Sequence, residues 1–126
     1  MPRPVDVALV WLGGSVGSVA RYLVGVALVA VAEPSFPLGT LTVNVTGSFA
    51  AGLLLGIGDV RGMLDSTRLL LLTGFLGGYT TFSAFAVETM RLAEQQGWLV
   101  AGGNVAANLM LGLGAAAVGL LLGRAY

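Results

Sequence analysis

Four long apolar runs, separated by short polar segments, dominate the chain: 7–32, 38–58, 69–90 and 98–123. Each reaches the about 20 mostly apolar residues that a helix needs to cross a bilayer. Arg21 and Glu88 are the only charges inside them. The connections are E-P-S-F-P at 33–37, a charged segment at 59–68 and R-L-A-E-Q-Q-G at 91–97. The first run is too long for a cleaved signal and lacks a small-residue cleavage pattern at its end. Trp11, Trp98 and Tyr126 lie near run ends, where amphipathic aromatic rings favour the membrane interface. The pattern predicts an all-α integral membrane protein with four transmembrane helices, residues 1–126 forming a single membrane domain.

Within the third run, Gly74 to Phe85 reads G-F-L-G-G-Y-T-T-F-S-A-F. Glycine weakens a helix by roughly 1 kcal/mol relative to alanine, and Thr80 and Thr81 carry hydroxyls able to bond backbone groups that an interrupted helix leaves free. The third helix is therefore expected to be broken at its centre. Irregular backbone at membrane depth is tolerated only inside protein or along a polar cavity, which makes this stretch the first candidate for function. Phe82 and Phe85 are three apart and share a helical face. Such a pair packs in most membrane helices. Beside Thr80, Thr81 and Ser83, however, its electropositive ring edges and the hydroxyls could solvate a small anion, while freed carbonyls could coordinate a cation.

Composition narrows the classes further. The chain is 56% hydrophobic and only 10% charged, against about 25% charged for a typical soluble domain; its mean hydropathy is +0.92. Formal net charge is zero, so nothing points to nucleic acid or an acidic partner. Neither cysteine nor histidine is present, which excludes disulfides, thiolate sites, histidine-ligated zinc hydrolases and Ser-His-Asp chemistry. The chain reads as no enzyme. With an even number of spans, Arg3, Arg61, Arg68 and Arg124 fall on one side and Arg91 on the other. The positive-inside rule then puts both termini in the cytoplasm.

Several residues depart from plain hydrocarbon. Gly13 and Gly17, and Gly14 and Ser18, have the four-residue spacing that lets helices approach closely. Arg21 lies well inside the first run, where a charge costs at least about 2.5 kcal/mol. It either snorkels to the headgroups or sets a positive field in a water-filled vestibule. Asn44, Ser48, Gly52 and Gly56 share one face of the second helix; alone, Asn44 reads as interhelical glue. Asn104, Asn108 and Gly112 share a face of the fourth. Asn104 is near the helix end, within reach of water, and Asn108 is deeper, toward a polar path. Glu88 lies toward the end of the third span.

Three blocks occur in order: G-G-x-x-G-S-x-x-R-Y, G-T-L-x-V-N-x-x-G-S-F-x-x-G and G-F-L-G-G-Y-T-T-F-S-A-F. Together they resemble the signature blocks of the Fluc/CrcB fluoride channels, and the likeness covers essentially the whole chain. The resemblance implies an antiparallel dual-topology dimer in a microbial plasma membrane, exporting fluoride passively through two pores and so conferring fluoride resistance. It implies a structural sodium ion at the dimer centre, held by the backbone carbonyls of Gly77 and Thr80 from both subunits. Phe82 and Phe85 would be the pore phenylalanines and Asn44 the polar group near them. Thr81 and Ser83 would be pore hydroxyls, Arg21 the vestibule cation and Glu88 the acid near a pore end, with Asn108 facing the same path.

Two departures stand out. The family commonly has T-T-F-S-T-F where this chain has Ala84, and many members have a hydroxyl residue where it has Asn108. The arginine bias also runs against dual topology, so a heterodimer of two homologous chains stands as the alternative to a homodimer. Two rival functions remain open: a four-helix drug or cation antiporter, which needs a membrane carboxylate and has only Glu88 to offer, and a non-transporting assembly subunit.

Overall fold

The computed structural model describes residues 1–31 and 35–126. Helix α1 spans Pro4–Val31 and α2 spans Leu38–Arg61. The third span, Asp65–Gln96, is composite. A short α3 (Asp65–Thr67) runs into wide π-type turns over Arg68–Leu76, then α4 (Gly77–Tyr79), two extended residues, and α5 (Phe82–Gln96). Helix α6 covers Trp98–Ala125. The four spans are all long and apolar enough to cross a membrane, and no strand occurs among the described residues.

The helices run further than the apolar runs. Most of 59–68 is helical, and the 91–97 segment stays helical to Gln96. Charged residues at a membrane edge do not interrupt the backbone ladder; a change of φ does. The ladders end at Gly62 (φ 76°) and Gly97 (φ 95°), which occupy the left-handed region that glycine enters without penalty. Gly62 donates its amide to Gly58 O at 3.0 Å, and Gly97 donates to Leu92 O and Ala93 O at 3.1 and 3.2 Å. The expected end of the first run at Ala32, and Glu33 and Pro34 of the connection, lie outside the described residues.

Two glycine seams draw the helices together. On α2, a Cβ added to Gly52 or Gly56 would collide with Ala116 O or Leu120 O of α6. Reciprocally, one on Gly119 or Gly123 would collide with Phe49 O or Leu53 O of α2. On α1, Gly13 and Gly17 sit equally close to Leu70 O and Phe75 O, and Gly78 sits close to Gly14 O. Backbone therefore lies on backbone, as small residues four apart allow. Gly74 and Gly78 are thus helical packing residues against α1. The residues that leave helical geometry come later, at Thr80 and Thr81.

The core is small, with Val43, Leu76, Phe85, Leu92 and Ala101 the buried apolar side chains among the described residues. Large apolar side chains on every span point outward, a surface suited to hydrocarbon rather than water. At one end, Arg124 pairs with Asp59 at 2.7 Å, and the Arg61 guanidinium lies 4.7 Å over the Tyr126 ring.

Candidate functional site

The site begins with two β-branched residues. Thr80 has φ −83°, ψ 159° and Thr81 has φ −151°, ψ 120°. Extended backbone suits threonine, whose branched Cβ lowers its preference for helix. The side chains then fix the geometry. Thr80 Oγ1 donates to Leu76 O at 3.0 Å. Thr81 acts as the N-cap of α5, its Oγ1 accepting from the Ala84 amide at 3.2 Å. Asn44 of α2 lies alongside: its Oδ1 accepts from the Thr81 amide at 2.8 Å and its Nδ2 donates to Thr81 O at 3.1 Å. The amide side chain thus pairs with Thr81 as a neighbouring strand would.

This arrangement releases two carbonyls. In an uninterrupted helix Gly77 O would accept from the Thr81 amide and Thr80 O from the Ala84 amide. Those amides are instead directed to Asn44 Oδ1 and Thr81 Oγ1. Both Gly77 and Thr80 line a surface cavity of about 420 Å³, together with Asn44, Ser48, Thr81 and Phe82. Carbonyl oxygens released from their usual helical amides are a donor type that suits a hard monovalent cation.

Phe82 and Phe85 stand 5.5 Å apart between centroids and are tilted by 55°. Phe82 is 78% exposed, while Phe85 is 8% exposed. Thr81 Oγ1 and Ser83 Oγ lie 3.2 Å apart beside them. A second cavity, of about 460 Å³, opens between α1, α2 and α5 and is lined by Arg21, Thr40, Thr81, Ala84, Glu88 and Arg91, among others. Arg21 therefore faces a cavity that also holds an acid and another guanidinium. Glu88 Oε1 accepts from Thr40 Oγ1 at 2.9 Å, and its Oε2 is buried without a partner among the described residues. Among the described residues, Thr81 alone lines both cavities.

Asn108, like Ser83 and Phe85, lines neither cavity; it is 9% exposed. Its Nδ2 donates to Asn104 O and Asn104 Oδ1, both at 3.1 Å, and its Oδ1 accepts from Asn44 Nδ2 at 3.0 Å. Both amide hydrogens of Asn44 and of Asn108 are thus engaged by protein acceptors. Asn104, expected within reach of water, is fully buried against α5, and its Nδ2 donates to Thr89 Oγ1 at 2.8 Å. The early turns of α6 pack on the late turns of α5, because Gly97 alone separates the two helices.

Sequence reasoning missed Thr40, Thr89 and Arg91. Thr40 and Thr89 gave no signal alone, since a threonine in an apolar helix commonly bonds its own backbone. Thr89 does so too, donating to Phe85 O at 2.7 Å. Arg91 was legible by spacing, three residues after Glu88 on the same helical face.

The CrcB-like protein family (Camphor Resistance, CrcB) matches residues 8–120. A relative from Agrobacterium fabrum, named fluoride-specific ion channel FluC, is 44% identical over 123 residues, covering 95% of this chain and 97% of its own. One of the same name from Allorhizobium ampelinum is 45% identical over 122 residues, covering 94% and 96%. A third, from Shewanella loihica, is 43% identical over 106 residues, covering 84% and 86%. With its family match spanning residues 8–120 and these relatives 43–45% identical over 84–95% of its length, the chain belongs to the CrcB-like family.

Proposed function

We propose that the chain is a fluoride-selective ion channel of the plasma membrane, giving passive fluoride export and hence resistance to the ion. The names of its relatives support this reading. The observation that carries it is the position of Thr81, which borders both cavities with the Ser83 hydroxyl beside it and Phe82 on the wall of one of them. Fluoride is small and strongly hydrated, and placing such a charge unpaired in low dielectric costs tens of kcal/mol in the Born limit. A path must replace its water with donors that release it again. The Thr81 and Ser83 hydroxyls and the edges of Phe82 and Phe85 are the available donors. Asn44 borders the path and holds Thr81, and Asn108 holds Asn44. Arg21 draws anions into the larger cavity, and Glu88 bounds that cavity beside Thr40.

The working unit in this reading is an antiparallel dual-topology dimer with two pores, built from two copies or from this chain and a homologue. The exposure of Phe82 supports a partner surface there. The extended pair Thr80–Thr81 breaks the third span at its centre, where Gly77 and Thr80 carbonyls of both subunits would hold a sodium ion. A cation bound there offsets the repulsion between anions in neighbouring pores.

The test is reconstitution of the purified chain alone in liposomes, with a fluoride electrode reading efflux against a chloride control. Fluoride efflux with little chloride leak, independent of pH, is expected. Absence of fluoride flux from a correctly assembled dimer would refute the channel. Proton-coupled cation uptake would instead support an antiporter working through Glu88, whose unpaired Oε2 is the one observation favouring that rival.

A further inference from the structure

The polar contacts around Asn104 form a single directed sequence. The Thr81 amide donates to Asn44 Oδ1 (2.8 Å), and Asn44 Nδ2 donates to Asn108 Oδ1 (3.0 Å). Asn108 Nδ2 donates to Asn104 Oδ1 (3.1 Å), and Asn104 Nδ2 donates to Thr89 Oγ1 (2.8 Å). Thr89 Oγ1 then donates to Phe85 O (2.7 Å). The sequence leaves α5 at the amide of its N-cap, crosses α2 and α6, and returns to α5 at the carbonyl of Phe85.

Its direction follows from chemistry. A backbone N–H can only donate, so Asn44 must turn its oxygen to Thr81 and its nitrogen to Asn108. Asn108 must then offer oxygen to Asn44 and nitrogen to Asn104, and Asn104 oxygen to Asn108 and nitrogen to Thr89. The Thr89 hydroxyl, having accepted, donates its one hydrogen to Phe85 O, an acceptor only. Each amide orientation is dictated by its neighbour, and aligned hydrogen bonds strengthen one another in low dielectric. Both ends of the sequence are groups that position ion-path side chains: the Thr81 backbone and the Phe85 turn.

We infer that Asn104, with Thr89 and Asn108, is a positioning residue for the ion path: a one-way hydrogen-bond relay through three helices holds Thr81 and Phe85, although Asn104 is fully buried and lines neither cavity. This rests on the fluoride reading for its functional consequence but not for its structure. The relay also accounts for an asparagine at 108. A hydroxyl has a single hydrogen, whereas the Asn108 amide holds Asn104 with both of its hydrogens and still accepts from Asn44.

Asn104→Leu is close to isosteric and removes both relay contacts at that position. Two quantities are measured on assembled dimer: fluoride efflux per dimer from liposomes, and hydrogen–deuterium exchange at the Thr81 amide against the amides of Leu92 and Ala101. The relay predicts exchange at Thr81 faster by at least about fivefold, the factor equivalent to one net hydrogen bond of about 1 kcal/mol. Fluoride efflux falls by a similar factor, while the reference amides stay unchanged. A uniform rise in exchange along α5 and α6, or an unchanged Thr81, overturns the relay. Should Asn104→Leu fail to assemble, Thr89→Val and Thr89→Ser replace it. Valine must reproduce the defect and serine must not; equal behaviour of the two overturns the inference. If the wild-type chain carries no fluoride, the channel reading fails, and the exchange measurement still decides the relay.

Discussion

Phe82→Ile separates a ring edge from mere bulk at the site. Phe82 is 78% exposed in the single chain, so its replacement disturbs little intrachain packing apart from its tilted contact with Phe85 at 5.5 Å. That aromatic pair is worth about 0.5–1.5 kcal/mol, too little to unfold four packed spans. The consequence for an anion is larger relative to its barrier. If two edge C–H groups each contribute about 0.5–1 kcal/mol, as weak hydrogen bonds do, isoleucine raises the barrier by about 1–2 kcal/mol. Fluoride efflux should then fall roughly 5- to 30-fold. The assay is electrode-detected efflux from liposomes at matched amounts of assembled protein, with oligomeric state checked by size-exclusion chromatography. Phe82→Tyr, which keeps an aromatic edge, should retain more flux than isoleucine. Flux equal to wild type in an assembled Phe82→Ile protein would remove the ring edges from the mechanism.

Other outcomes follow from the same geometry. Ala84 lines the larger cavity beside Thr81; Ala84→Thr adds a hydroxyl there and should raise fluoride efflux by up to about fivefold, as one extra hydrogen bond allows, whereas a fall would show that the added methyl obstructs the path. Gly119→Val thrusts carbon onto the Phe49 carbonyl and should destabilise the α2–α6 pair by at least about 1–3 kcal/mol, read as loss of extractable dimer; normal yield and thermal stability would contradict the seam. Replacing sodium with a bulky organic cation throughout purification should reduce dimer stability if Gly77 and Thr80 carbonyls hold the ion, and an unchanged melting temperature would argue against it. Arg124→Ala breaks a half-exposed ion pair with Asp59 and should shift stability by less than about 1 kcal/mol, measured by thermal denaturation in detergent.

The spans were legible because a bilayer demands one thing, about 20 apolar residues, and the chain supplies it four times. The Gly52–Gly56 face was legible for a related reason: a four-residue spacing of small groups has few uses besides close approach. Gly74 to Gly78 was legible only as a departure. Propensity suggested that these glycines weaken the helix, yet Gly74 and Gly78 remain helical because α1 backbone lies where side chains would otherwise be. Propensity was overridden by packing. Asn44 and Asn108 were recognised as polar groups on helix faces, but periodicity reports a face and not a partner. That their hydrogens are engaged by protein atoms depends on how three helices meet. Thr89 and Thr40 carried no local signal, because their roles begin only when Asn104 and Glu88 arrive from elsewhere in the chain.

The wide turns over Arg68–Leu76 set the rotational phase of everything that follows. The Gly77 amide reaches back to Leu72 O, five residues away, as well as to Gly74 O. The wide turns end at Leu76, and the backbone of Leu70, Gly74 and Gly78 lies against α1 on both sides of that change. Removing one leucine from 69–72, with the wide turns otherwise kept, would rotate the downstream chain by roughly 80–100°. Thr81 would then turn away from Asn44, and the freed carbonyls would face a different neighbour. Single-residue deletions here should therefore abolish transport while leaving hydropathy almost unchanged, whereas a leucine-to-isoleucine exchange at the same positions should be silent. The segment behaves as a spacer measured in degrees rather than in ångströms.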